Sequence, residues 1–361
     1  MSHPYNTKEE ILKLGKIDPE LDEASNYRYL FLKNNDVPSV DYSDLQSFKE
    51  FAERRNIQLQ KMLGDTPSDV KQSEDQYTNR EGMKMRVKVY QPTEPSSTGS
   101  PLIVMYHGGG FCIGAPEGEE QTCRNMVQAF GAVCVSASYR LAPEHPFPAA
   151  PNDSWDALKW AAANAKSLKA DPSQGFIVGG TSAGGNITAV LALLARDEGL
   201  SPPLTGQYLA IPAVGNKKWI PEKYKDRFLS FEQNKDVPVL PIAAIDMFMK
   251  GYAPDEDDHV HYTVIAHPKG HKGLPPAYFQ IDGMDPLRDE GLIYATMLDE
   301  DNGIKTKVDV YPGQPHGHWG FFPFLKASAQ FRKEQINGFG WLLDKEPAVH
   351  RVANQVNPTS V

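Results

Sequence analysis

Residues 176–196 read FIVGGTSAGGNITAVLALLAR. Phe176, Ile177 and Val178 make a short apolar run of strand length, and Ile187 to Arg196 is a run of helix formers. Between them Gly180-Thr181-Ser182-Ala183-Gly184 matches G-x-S-x-G, in the strand, turn and helix setting that this motif requires. A serine there occupies a strained turn. The residues two positions away must then lack side chains, and the hydroxyl stands clear of the sheet at a helix N-terminus. Ser182 is therefore the candidate nucleophile, and its surroundings are expected to be a parallel sheet.

Outward from this elbow, short apolar runs alternate with segments long enough for crossover helices. Residues 102–106, 132–137, 176–179, 208–211, 278–281 and 307–311 are the expected strands of a mostly parallel central sheet flanked by helices, an α/β fold. Upstream, Met83, Met85, Val87 and Val89 alternate with Lys84, Arg86 and Lys88, the period of a half-exposed strand. QPTEPSSTGSP, at 91–101, supplies a turn, so an edge hairpin is expected here. Residues 1–80 lack the βα alternation and read as N-terminal cap helices. The clearest begins at a Ser43-x-x-Gln46 capping box and runs through Leu45, Phe48, Phe51, Ile57 and Met62 to Gly64. Residues 81–361 form the expected catalytic domain. Within it, 212–265 belongs to a connection far longer than usual and is expected to contribute to the cap; the tail after Glu346 is expected to fray.

The chain has 361 residues, 40% hydrophobic, 23% charged and 10% aromatic, the composition of a soluble globular protein. No apolar stretch reaches membrane-spanning length. A formal charge of -9, a pI of 5.6 and the lack of a Lys/Arg cluster argue against nucleic acid as a partner. MSHPYNTKEEILKLGK at the N-terminus lacks the layout of a secretion signal, so a cytoplasmic location is expected. Cys112, Cys123 and Cys134 form no C-x-x-C and read as reduced buried thiols.

A serine that attacks a carbonyl generates an oxyanion, which needs backbone N–H groups with no side chain in the way. His107-Gly108-Gly109-Gly110, directly after the strand 102–106, offers them. A phosphate cradle is the weaker reading, because neither G-x-G-x-x-G nor a following Lys-Ser/Thr is present. The serine also needs a base, and the base an acid that orients it. His316, in VYPGQPHGHW at 310–319, follows the last expected strand, where a loop returns to the serine's rim; His318 is its rival. The acid should fall between serine and histidine, and FQIDGMDPLRDEG at 279–291 offers Asp282, Asp285, Asp289 and Glu290. Asp282 ends a strand, and Asp289 with Glu290 suit the first turn of a helix. Asp285, in the loop before Pro286, is the favoured acid. His259, His261, His267 and His271, near Asp255 to Asp258, read as part of a solvated acidic loop rather than a metal site. No metal or organic cofactor is expected.

HGGGFCIG (107–114), YRLAPEHPFPAAPND (139–153), GTSAGGN (180–186), LPPAYFQIDGMDPLRDEG (274–291) and YPGQPHGHW (311–319) follow one another along the chain. In this order they resemble the hormone-sensitive-lipase-like branch of the α/β-hydrolases. The resemblance covers roughly residues 85–345. It implies the α/β-hydrolase fold with a helical cap, Ser182 as nucleophile, Asp285 as acid, His316 as base, and an oxyanion hole made by the amides of Gly109, Gly110 and Ala183. Two positions depart from the pattern. Thr181 stands where the family commonly has Asp, which removes a carboxylate behind the nucleophile, and His318 stands where an aromatic usually follows the His-Gly pair. The segment 139–153 reads as rigid scaffold, with Glu144 available to pair with Arg140.

The expected activity is that of a carboxylesterase acting on small-molecule esters with short to medium acyl chains, its pocket narrowed by Phe228, Phe231, Phe248 and Tyr252. An amidase, a lactonase or a metabolite-tailoring hydrolase would use the same triad. A ligand-binding receptor on this fold would lack the histidine that His316 supplies, and a scaffold whose cap binds another chain is a third reading. A homodimer formed through an edge strand is compatible with the sequence.

Overall fold

Leu102–Tyr106 is apolar except for the tip of its tyrosine, and all of it is buried. Such a strand belongs in the middle of a sheet covered on both faces. It is β3 of the computed structural model, which describes residues 5, 7–23, 41–42, 44–94 and 99–352. The other strands are β1 (Val70–Thr78), β2 (Lys84–Pro92), β4 (Val133–Ala137), β5 (Phe176–Thr181), β6 (Gly206–Ala210), β7 (Ala277–Asp282) and β8 (Thr306–Tyr311). They form one sheet in the order β1-β2-β4-β3-β5-β6-β7-β8. β2 is antiparallel to both of its neighbours, and β3 to β8 run parallel.

The strand period sorts the core into two layers. Leu102, Val104 and Tyr106 face one side, with Ala157 and Leu158 of α4 (Ala149–Ala163) and Ile187 to Leu194 of α5 (Ala183–Glu198). Ile103 and Met105 face the other, with Cys123 and Met126 of α3 (Glu120–Phe130) and Phe331 and Phe339 of α7 (Lys326–Leu343). Because β3, β5, β7 and β8 are parallel, the segments after them leave the sheet at one rim. That rim gathers His107, Ser182, Asp285 and His316.

Four local expectations need correcting. The hairpin that enters the sheet is β1–β2, closed before the alternating strand by Asn79, whose Oδ1 accepts from Glu81 N and Met83 N; the stretch 91–101 instead links β2 to β3, and its residues 95–98 lie outside the described residues. β1 (VKQSEDQYT) buries only Val70 and Tyr77, so it carries too few apolar residues for its period to register, and it falls inside the range read as cap helices. The helix α2 (Leu45–Leu63) is capped by Asp44, whose side chain accepts from Gln46 N at 3.0 Å; Ser43 of the expected capping box lies outside the described residues. The tail docks through residue 352, Ala348 N bonding Ala129 O and Gln128 bonding Arg351 O, while 353–361 lie outside the described residues.

Two contacts tie the N-terminal part to the rim. After α1 (Lys8–Leu14), Leu14 O accepts from Gly313 N at 2.8 Å, three residues before His316. On α2, Phe48 meets Phe248 of α6 (Ile242–Tyr252) edge-on at 5.3 Å, and Arg55 donates to Gly320 O while lying over the Phe321 ring.

The segment 139–153 also differs in its pairing. Glu144 bonds Lys49 of α2, whereas the Arg140 guanidinium is shared by Asp153 and Glu81. Tyr139 stacks on His107 and donates to His107 O at 2.8 Å, which props the glycine loop from below.

Candidate active site

Ser182 holds φ 58° and ψ -114° at the turn from β5 into α5. The left-handed value is costly for a residue with a side chain, and close packing enforces it. A Cβ on Gly180 would strike Tyr106 O and Gly184 O; one on Gly184 would strike Tyr106 O and His107 O. The glycines of G-x-S-x-G are thus required by backbone packed against backbone. Ser182 N donates to Ala210 O at 2.8 Å, and Ser182 O accepts from Asn186 N, so the elbow is pinned on both sides.

His316 Nε2 lies 2.9 Å from Ser182 Oγ, and His316 Nδ1 lies 2.6 Å from Asp285 Oδ2. Asp285 is 1% exposed and His316 8%. The other Asp285 oxygen accepts from Leu287 N at 2.9 Å, and Asn234 donates to Asp285 O. Short bonds clasp the two loops together: Gly283 N to Tyr311 O and Met284 N to Gln314 O. Serine, histidine and acid therefore form one line. The competing carboxylates have other partners. Asp289 accepts from Leu229 N and Ser230 N, and Glu290 from Val214 N, so both hold the 212–265 segment against the sheet.

Gly108 packs onto the elbow, where a Cβ would lie 3.2 Å from that of Ser182. Gly109 and Gly110 have φ of 117° and 56°, the region glycine tolerates, and a Cβ on Gly110 would enter the Phe248 ring. Among the described residues, the amides of Gly109, Gly110 and Ala183 donate to no protein acceptor. Burial lowers His107 to about 4, which keeps its ring neutral, and pushes the Cys112 thiol up to about 12.

Of the cap aromatics, Phe248 covers Gly110, and Tyr252 is fully buried, stacked on Phe111 at 4.0 Å. Phe228 and Phe231 stack on each other and line a separate cavity of about 420 Å³ with Lys217 and Lys235. His261 pairs with Asp258, and His271 Nε2 lies 2.9 Å from Val264 O. Among the described residues, no group of three His, Cys, Asp or Glu is arranged to hold a metal. No helix among them is long and apolar enough to cross a membrane.

One residue near the elbow escaped the sequence reading. Glu119, 3% exposed, lies against Thr181 and Thr122, so a carboxyl group from another element reaches the side chain that follows Gly180 in the elbow. Nothing in PEGEE at 116–120 separates this glutamate from its neighbours. Burial raises it from its ordinary 4.5 to about 7. Between those values the folded chain keeps a proton that the unfolded chain releases, so this contribution to stability falls as pH rises through the window. Glu119→Gln removes the titration. Urea unfolding at pH 4 and pH 8 should show the variant gaining about 3 kcal/mol on the wild type between the two; an unchanged difference would remove Glu119 from this role.

Comparison with known proteins adds relatives to this geometry. Residues 103–320 match the family described as alpha/beta hydrolase fold. An AB hydrolase superfamily protein of Schizosaccharomyces pombe is 34% identical over 331 residues, 92% of this chain and 95% of its own. Carboxylesterase NlhH of Mycobacterium tuberculosis is 40% identical over 249 residues, 68% of this chain and 74% of its own. Among solved structures, vibralactone cyclase superposes with a TM-score of 0.82 at 32% identity, covering 95% of this chain and 99% of its own.

Proposed function

The chain belongs to the α/β-hydrolase family, and from that premise we propose that it is a carboxylesterase working through Ser182, His316 and Asp285. One observation carries this reading: the unbroken line from Asp285 Oδ2 through His316 to Ser182 Oγ, with steps of 2.6 and 2.9 Å. The relatives named carboxylesterase and esterase support the same reaction class.

Ser182 Oγ attacks the ester carbonyl as His316 Nε2 takes its proton, and Asp285 stabilises the imidazolium and fixes its tautomer. The oxyanion is held by the amides of Gly109, Gly110 and Ala183, each donor contributing roughly 3 to 4 kcal/mol at the transition state. His316 then protonates the leaving alcohol. Water, deprotonated by the same ring, releases the acid from the acyl-enzyme.

The proposed substrates are small esters with short to medium acyl chains, because Phe248 closes over Gly110 and the helical parts of 1–80 with 212–265 would roof the serine as a cap. Hydrolysis of p-nitrophenyl acetate, butyrate and octanoate tests this reading. We expect kcat/KM to fall by about tenfold or more from butyrate to octanoate, the scale that pocket contacts support, and a fluorophosphonate to label Ser182. Preference for long-chain emulsified lipid would overturn the size assignment. An unlabelled serine in a folded, inactive protein would overturn the esterase.

A further inference from the structure

Asp282 and His318 stand outside the Asp285–His316–Ser182 line, yet they meet each other. Both are fully buried, with Asp282 Oδ1 2.9 Å from His318 Nδ1. The second oxygen, Oδ2, accepts from Gly317 N at 2.9 Å. One carboxylate at the end of β7 therefore engages the two residues that follow His316, while Asp285, three positions on, engages the His316 ring.

This arrangement costs stability. A buried carboxylate loses several kcal/mol of hydration, which a pair recovers only in part, and burial raises Asp282 against the opposing influence of His318. The ring of His318 sits among Tyr311, Trp319 and Phe331, at 5.2 to 5.7 Å between centroids, surroundings that an aromatic side chain would fill without such a penalty. What the pair supplies is a fixed backbone. Gly317 turns with φ 68°, and its amide lies one residue past the Cα from which the His316 ring projects.

We propose that Asp282 is a positioning residue for His316: paired with His318, its carboxylate pins the backbone after His316, so that the ring keeps its contacts with Asp285 and Ser182 together. The proposal rests on His316 being the base, as read above.

The test compares kcat and KM for p-nitrophenyl butyrate, and the rate of phosphonylation by a fluorophosphonate, in the wild type, Asp282→Leu/His318→Phe, Asp282→Asn and His316→Ala. The double variant replaces a buried polar pair by apolar groups of similar size, an exchange that folded proteins commonly accept or gain from. It should melt at or above the wild-type temperature, yet lose about tenfold to a hundredfold in kcat and in phosphonylation rate, with KM within about twofold. Asp282→Asn keeps an oxygen for the Gly317 amide and should stay within about fivefold of the wild-type kcat. A folded double variant with wild-type kcat overturns the proposal, as does a loss in Asp282→Asn as deep as that of the double variant. His316→Ala separates the two readings: if it retains activity, the assignment of the base fails, and if it alone is inactive, only the role of Asp282 fails.

Discussion

Ser182→Ala is expected to lower kcat for p-nitrophenyl butyrate by about 10⁴- to 10⁶-fold, with KM and melting temperature near those of the wild type. The size follows from the proposed covalent step, since no acyl-enzyme can form without Oγ. The intact fold follows from the elbow. Alanine keeps the same Cβ at φ 58° and the same bonds from Ser182 N to Ala210 O and from Asn186 N to Ser182 O, so no packing changes. Some rate above that of water should persist, because the amides of Gly109, Gly110 and Ala183 would still meet a developing oxyanion. A variant that keeps more than about a tenth of the activity would mean that another group attacks the carbonyl.

Asp285→Asn should cost about 10⁴-fold in kcat and leave the chain folded. The reason lies in how the two carboxylate oxygens are used: Oδ1 accepts from Leu287 N and Oδ2 faces His316 Nδ1. An amide has one oxygen to share between two donors. With that oxygen on Leu287 N, its NH₂ faces Nδ1 and favours the tautomer with the proton on Nε2, aimed at Ser182, where the ring cannot act as a base. Asp289→Asn and Glu290→Gln change carboxyl groups that hold residues 229–230 and 214, and each should keep kcat within about tenfold. The contrast among the three is the measurement. Equal losses at all of them would mean that Asp285 acts through the fold alone.

The central strands β3 and β5 were legible because both faces are covered, so each opens as an uninterrupted apolar run, as in LIVMY at 102–106 and FIV at 176–178, whereas β8 (TKVDVY) is half-buried and showed only its alternating Val308, Val310 and the following Tyr311. Parallel order then puts the loops after β3, β5, β7 and β8 on one rim, which is why motifs far apart in sequence could be assigned to one site. β1 was not legible, since a strand paired on one side and half exposed has no such run to show. Asp282 and His318 were visible only as rivals, one for the acid and one for the base. That they face each other depends on the register of β7 with β8 and on the left-handed turn at Gly317, neither of which is written in residue type. Glu119 was hidden for a similar reason: a glutamate among glutamates declares itself only when a threonine from another element lies against it.

The polarity that hid β1 has a consequence for the molecule in a crowded solution. Among the described residues, β1 lies at one end of the sheet order and pairs only with β2. Among the described residues no strand pairs with its outer side, and an open strand edge is a template onto which an extended chain can add. Lys71, Ser73, Glu74, Asp75 and Gln76 are exposed along it. An incoming strand would have to lay its own side chains against these charges and strip their water, which makes sheet-to-sheet growth from this edge unfavourable. The nine residues of β1 thus finish the sheet on one side and protect it there against aggregation.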